Sequence, residues 1–286
     1  MDTINLILKA QRSEITEHYI YKRLALTEKS IENKDILETI ANDELKHYEI
    51  LKRITKKEVT PCYLKIHWYT FLARVLGITF ALKLMERGED TANNKYQQLA
   101  NEYPQLMTIS SDEQNHENQL LNMLQEKKLE YAGSIVLGLN DALVELTGAL
   151  AGFTFAMQET KTVALAGLIT GVAASLSMAS SEYLSKTTEG KSARAFSSSL
   201  YTGTAYLITV ALLIMPYLLM TTPIMALATT LLIALLIIAG FNFYISVAKD
   251  LNFRKRFLEM ALISLSVAAI SFGIGYLIKE FLGVSM

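Results

Sequence analysis

Two stretches of this chain, "ANDELKHYEIL" (residues 41–51) and "SSDEQNHENQL" (residues 110–120), share an Asp-Glu-x-x-His core. The first supplies Asp43, Glu44 and His47, the second Asp112, Glu113 and His116. The chain has only four histidines, and two of them follow a glutamate by three residues. Residues three apart on a helix are neighbours, so each stretch presents a carboxylate and an imidazole on one face. Around these cores the apolar residues recur at helical spacing and no strand-like alternation stands out. Residues 1–131 are therefore expected to form an all-α bundle, with helices around 10–30 and 35–55, a long one from 63 to about 99, and a last one over 107–125.

The acids of the other two helices complete a pattern. Glu14 lies seven residues before Tyr21, and Glu89 seven before Tyr96. The chain order is thus Glu…Tyr, Glu-x-x-His, Glu…Tyr, Glu-x-x-His. In a four-helix bundle, one Glu from each of two helices and a Glu-x-x-His from each of the others build a carboxylate-bridged dinuclear metal site. Two close divalent cations repel, so bridging carboxylates must screen them, and an imidazole per metal favours iron or manganese over magnesium. Glu86, one turn before Glu89, adds a spare carboxylate. The glutamates and histidines, rather than Asp43 and Asp112, are the expected ligands. Glu17, Glu49 and Glu117 are read as solvated or outer residues, and His18 and His67 as surface or core.

Charge divides the chain in two. Residues 1–131 hold 18 of the 27 Lys and Arg, 20 of the 28 Asp and Glu, and every histidine. This partition predicts two domains, 1–131 and 132–286. A net charge of −1 without a long basic run gives no case for nucleic acid. The single cysteine, Cys62, excludes an internal disulfide and a Cys₄ metal site. The N-terminus lacks the basic start and apolar core of a cleaved signal peptide.

Five segments of the second half reach the length of a bilayer crossing: 134–157, 163–183, 201–220, 224–247 and 257–278. No charge occurs between Arg194 and Lys249, and the stretch around Pro216 and Pro223 splits that run into two crossings. With five spans, the loops bearing Lys186, Lys191, Arg194, Lys249, Arg254, Lys255 and Arg256 share the side of the N-terminal domain. The other side has Lys161 and Lys279. Positive charge stays inside, which predicts a cytoplasmic N-terminal domain and an external C-terminus.

Polar residues within the spans are the informative ones. Asp141 and Glu145 stand four apart in the first span, Met178 and Glu182 four apart in the second. Intramembrane carboxylates mark an ion path by default, and a thioether beside them suits a transition metal. Simpler roles also exist: Glu182 at the interface, Asp141 bonded to a neighbouring helix. Gly148-x-x-x-Gly152 and Gly167-x-x-x-Gly171 indicate close helix packing, within the chain or between subunits. The stretch 66–85 is apolar but interrupted by Arg74 and Lys83. It is expected to be a bundle helix packed on other helices, on the membrane surface or on a dimer partner.

With these residues in place, 1–131 resembles the rubrerythrin branch of the ferritin-like superfamily. The resemblance implies Glu14, Glu44, His47, Glu86, Glu89, Glu113 and His116 as ligands of a dinuclear iron or manganese centre, with Glu44 and Glu113 bridging. The remainder resembles the vacuolar iron transporter family, through "LGLNDALVELTGALAGF" and "AASLSMASSEYLS". The fusion is similar to the membrane-bound ferritin type. It implies a plasma-membrane homodimer exporting Fe²⁺, or Mn²⁺, against H⁺, with Asp141, Glu145, Met178 and Glu182 on the path. Two departures stand out. Only "SKTTEGKSARAFSS" replaces the long acidic insert that vacuolar members carry between spans two and three, and no Cys₄ rubredoxin module is present. The competing expectations are a membrane-anchored diiron ferroxidase or peroxidase, and a scaffold that binds metal for stability.

Overall fold

The computed structural model describes residues 3–85, 87, 103–123 and 131–282. The chain divides into two compact units, Met1–Glu126 and Lys127–Met286. Every regular element among the described residues is helical.

The first unit contains α1 (Thr3–Ala25), α2 (Ile31–Thr55), α3 (Tyr63–Leu76), α4 (residues 78–85) and α5 (Leu106–Met123). Ser30 caps α2, accepting the Asn33 N–H at 3.4 Å, and Lys56 ends it in the left-handed region at φ 54°. The loop that follows is tied to α1. Gln11 Nε2 donates to the Lys57 carbonyl at 2.8 Å, and the Cys62 N–H donates to Thr16 Oγ1 at 2.9 Å. The single long helix expected from residue 63 is broken at Gly77, whose φ of 101° a side chain would strain.

Two apolar layers lie along this unit. Ile7, Leu51, Leu106 and Ile109 form one, while Ile20, Tyr21, Leu24, Leu37, Ile40, Leu82 and Leu120 belong to the other. In sequence, Glu14 falls between Ile7 and Ile20, Glu44 and His47 between Ile40 and Leu51, and Glu113 and His116 between Ile109 and Leu120. The acid and imidazole residues therefore form a polar layer between two hydrophobic ones. Burial of the flanking layers fixes the rotation of each helix and so aims these side chains inward.

The second unit has five helices long and apolar enough to cross a membrane. The first, α6, runs Ala132–Asp141, passes through a π-helical turn at Ala142–Leu146, and continues Thr147–Met157. Then come α7 (Thr160–Thr188), α8 (Ser192–Leu219), α9 (Pro223–Ala248) and α10 (Phe253–Leu282). The five expected spans are present, two of them close to their apolar stretches and three extending about two turns beyond. Pro216 sits inside α8, and the break to α9 falls at residues 220–222, with Pro223 opening the next helix.

Close helix contacts use the small residues. A Cβ on Gly138 would lie 2.3 Å from the Thr202 carbonyl oxygen, and one on Gly275 only 2.6 Å from that of Gly152. Gly148 abuts Val267 and Ser271 of α10, while Gly171 abuts Val210 of α8. Both Gly-x-x-x-Gly pairs are thus used inside the chain. Leu143, Leu146, Leu150, Tyr206, Leu213 and Tyr217 form the centre of the unit, and Leu218, Leu236, Leu262 and Ile270 lie on its outside. Large apolar side chains on the outer surface are what a lipid-facing unit requires.

Candidate metal centre and membrane carboxylates

α1 brings Glu14, α2 brings Glu44 and His47, and α5 brings Glu113 and His116 to one buried layer. Glu14, Glu44 and His47 are 2%, 2% and 1% exposed, and His116 4%. One ligand atom from each of Glu14, Glu44, His47 and Glu113 lies within 4.8 Å of all the others. His47 Nδ1 is 3.3 Å from Glu14 Oε2, 3.7 Å from Glu44 Oε2 and 3.5 Å from Glu113 Oε1. His116 Nδ1 is 3.3 Å from Glu44 Oε1 and 3.9 Å from Glu113 Oε2. Each of these two glutamates therefore turns one oxygen toward each imidazole, and the two rings stand 5.8 Å apart.

The outer ring nitrogens are also held, and by residues set aside in the sequence reading. His47 Nε2 lies 3.2 Å from Asp112 Oδ2, and His116 Nε2 lies 3.3 Å from Asp43 Oδ2. The aspartates cross over, each serving the histidine of the other motif. Such a partner fixes the tautomer and leaves Nδ1 facing the glutamates. His47 Nδ1, His116 Nδ1 and Glu44 Oε2 are buried without a hydrogen bond. Buried polar atoms normally have partners, so this cluster of inward lone pairs fits the donor set of a metal centre.

Electrostatics point the same way. Burial, then the Glu44 charge, raises the Glu14 carboxyl well above the carboxylate range. Burial and the neighbouring Glu113 push Glu44 up to about 7. Burial, Glu14 and Glu113 raise Glu17 to about 8, so Glu17 belongs to this electrostatic cluster rather than to a freely solvated face. For His47, burial opposes the charged form, but Glu113, Glu14 and Glu44 outweigh it and raise the imidazole far above its usual range. Buried carboxylates whose protonated form is favoured in the absence of a counter-charge are ones that a cation can take over.

Glu86 and Glu89 lie outside the described residues, as does Tyr96. His18 is buried and bonds the Ala41 carbonyl through Nδ1 at 2.6 Å, and exposed His67 bonds that of Tyr63 at 2.7 Å. Neither imidazole belongs to the cluster.

In the membrane unit the π-helical turn begins directly after Asp141 and contains Glu145. Such turns widen the helix and frequently sit at functional sites. The Leu143 carbonyl inside this turn accepts Ser264 Oγ–H from α10 at 2.7 Å. Tyr206, fully buried on α8, donates its hydroxyl to Glu145 Oε2 at 3.3 Å. Asp141 lines an open groove of about 390 Å³ with Val136, Asn140, Val144 and Met260. Glu145 is itself exposed on the surface of the unit.

Glu182 occupies a different place. It is 6% exposed, accepts Ser134 Oγ–H at 2.7 Å, and has Lys186 Nζ at 3.8 Å. It is thus buried against the start of α6, two turns before Asp141, and not freely snorkelling. Lys186 supplies the counter-charge that the span sequence alone did not reveal. Met178, one turn earlier on α7, packs against the apolar cluster around Leu143 and Leu146. Among the described residues no hydrogen bond or ion pair joins Glu182 or Met178 to Asp141 or Glu145. Tyr206, Ser134 and Ser264 escaped the sequence reading because isolated hydroxyls within apolar spans carry no periodic signal.

Five apolar helices, packed through small residues and bearing carboxylates within a span, define a multi-pass membrane protein. Residues 132–196, covering α6, α7 and the start of α8, match the VIT family. Asp141, Glu145, Met178 and Glu182 all fall within that match. Among curated proteins, none matches the chain.

Proposed function

We propose that this protein is a plasma-membrane transporter exporting Fe²⁺, and Mn²⁺ by the same chemistry, from the cytoplasm against protons. Its first unit is a dinuclear-metal bundle of ferritin-like type that binds, senses or oxidises the same metal. The observation that carries this reading is the pairing of Asp141 and Glu145 across a π turn within a VIT-matching membrane helix. An anchor needs no carboxylates within a span, and carboxylates there are expensive. The buried Glu and His cluster gives the same chain a place to collect the cation before transport.

Glu14, Glu44, His47, Glu113 and His116 would hold the metal pair, with Glu44 and Glu113 bridging. Glu86 and Glu89 complete the ligand set carried over from the family resemblance. A bound iron pair supplies redox capacity to this site. The chain's own contribution is to exclude water with two apolar layers and to aim both Nδ1 atoms through Asp43 and Asp112.

The seven basic residues flanking α7–α8 and α9–α10 support a cytoplasmic N-terminal unit and an external C-terminus. Exposed Glu145 supports a homodimer, because a lipid-facing carboxylate is far costlier than one covered by a second subunit. Fe²⁺ uptake into proteoliposomes tests the reading. Asp141→Ala should abolish flux with the fold intact, and equal flux in the variant and the parent would sink it. The buried cluster also favours a second reading, a membrane-anchored ferroxidase. Rapid O₂-dependent iron oxidation by a full chain that moves no iron would establish that reading instead.

A further inference from the structure

Helix α3 carries a feature that neither metal site uses. Leu64, Trp68, Phe71 and Val75 follow a 4-3-4 spacing and so form one stripe along the helix. They are 82%, 54%, 56% and 57% exposed, while Ile66 on the opposite side is 1% exposed and Leu72 at the edge of the stripe is 7% exposed. Trp68 and Phe71 stack on each other at 6.3 Å between centroids. Scattered exposed apolar residues are ordinary, but a continuous row of four large ones marks a contact surface.

We propose that the outer face of α3 is an interfacial helix that rests on the headgroup region of the lipid bilayer. Three observations select lipid as the occupant. The first is charge. The 14 residues of α3 contain Lys65, His67 and Arg74, all exposed, and no acid, within a unit otherwise rich in acids. Trp and Phe on an apolar face flanked by basic side chains is the composition of helices that lie in a membrane interface.

The second is reach. Met123 is the last described residue of α5, and Gly133 already belongs to the first membrane-crossing helix. Ten residues span at most about 35 Å. The bilayer is therefore always within reach of this unit, at an effective concentration that a weak apolar contact can exploit. The third is area. The four side chains of one stripe on a helix of roughly 20 Å offer less than the ~800 Å² per partner of a stable protein interface. An interfacial helix needs no such area when its unit is already tethered. The consequence is a bundle held against the membrane that its own chain crosses, through Leu64, Trp68, Phe71 and Val75.

Trp68 is the only tryptophan, so the intact protein carries its own probe. The full chain is reconstituted into phosphatidylcholine liposomes containing phosphatidylglycerol, with or without lipids brominated near the top of the acyl chain. Shallow bromines should at least halve Trp68 emission, and bromines near the bilayer centre should quench much less. Leu64→Asp combined with Phe71→Asp should restore most of the emission while metal binding stays intact. Emission unchanged by bromolipid overturns the proposal. Acrylamide then separates its two failures: strong quenching means a face open to water, and protection from both quenchers means a face covered by protein.

Discussion

His47 turns its Nε2 not toward Asp43 of its own motif but toward Asp112, 3.2 Å away on α5, and His116 returns the exchange to Asp43 at 3.3 Å. The two Asp-Glu-x-x-His stretches thus form one reciprocal unit, in which each helix orients the other's imidazole. Loss of the aspartate frees the ring and lowers its basicity. Asp112→Ala is expected to weaken Mn²⁺ or Co²⁺ binding by the full-length protein roughly 10–100-fold, and Asp43→Ala by a similar factor. Titration calorimetry in detergent checks this, and unchanged affinity in both variants would show that the crossing contacts do not support the ligands.

Proton linkage gives a second expectation. Glu44 and Glu17 are raised to about 7 and about 8, so the folded, metal-free cluster holds more protons than the unfolded chain. The raised His47 works in the same direction, stabilising the fold below its unfolded pKa and losing that contribution as pH rises through its folded one. Stability of the metal-free unit therefore falls as pH climbs from the ordinary carboxylate range through 8. Metal replaces those protons, so binding should release them and strengthen with pH. Melting followed by Trp68 emission across this range, with and without Mn²⁺, reads both effects. A metal-free melting temperature that rises with pH would contradict the linkage.

Much of this was legible in the sequence, for identifiable reasons. A bilayer crossing needs some 20 apolar residues, so composition alone located five spans. The i,i+3 rule put Glu44 with His47 and Glu113 with His116, because one helix's geometry suffices for that. The roles of Asp43 and Asp112 were illegible, since their partners lie on another helix, 73 and 65 residues away. Asp43 precedes His47 by four residues, and that local spacing points to the wrong imidazole. The π turn that follows Asp141 and contains Glu145 was hidden for a similar reason. Its carbonyl is satisfied by Ser264, 121 residues away, and no local pattern announces that.

Helix contacts in the membrane unit discriminate sharply among glycines. A Cβ at Gly138 would sit 2.3 Å from the Thr202 carbonyl oxygen, whereas Gly240 has nothing within 4 Å of that position. Thr202 Oγ1 also donates to the Ser134 carbonyl at 3.0 Å, so displacing α8 would strip that bond too. Gly138→Ala should destabilise the unit by about 1–3 kcal/mol, as overpacking does, and Gly240→Ala should be neutral. Thermal aggregation of the two variants in the same detergent measures the contrast, and equal behaviour would refute the close α6–α8 approach.

Tyr206 offers a test of the membrane carboxylates that leaves them in place. Its hydroxyl donates to Glu145 Oε2 at 3.3 Å, and its ring is fully buried in the apolar cluster that also holds Leu143, Leu146 and Leu213. Tyr206→Phe keeps the ring and the packing but removes the donor that orients Glu145. A hydrogen bond to a charged group contributes about 1.5–3 kcal/mol, equivalent to roughly 10–100-fold in a binding or rate constant. Fe²⁺ flux through Tyr206→Phe should fall at least tenfold while thermal stability in detergent changes little. Full flux at unchanged stability would mean that Glu145 needs no positioning. A collapse of stability would instead show that the hydroxyl bond itself holds the fold, and that its role is structural.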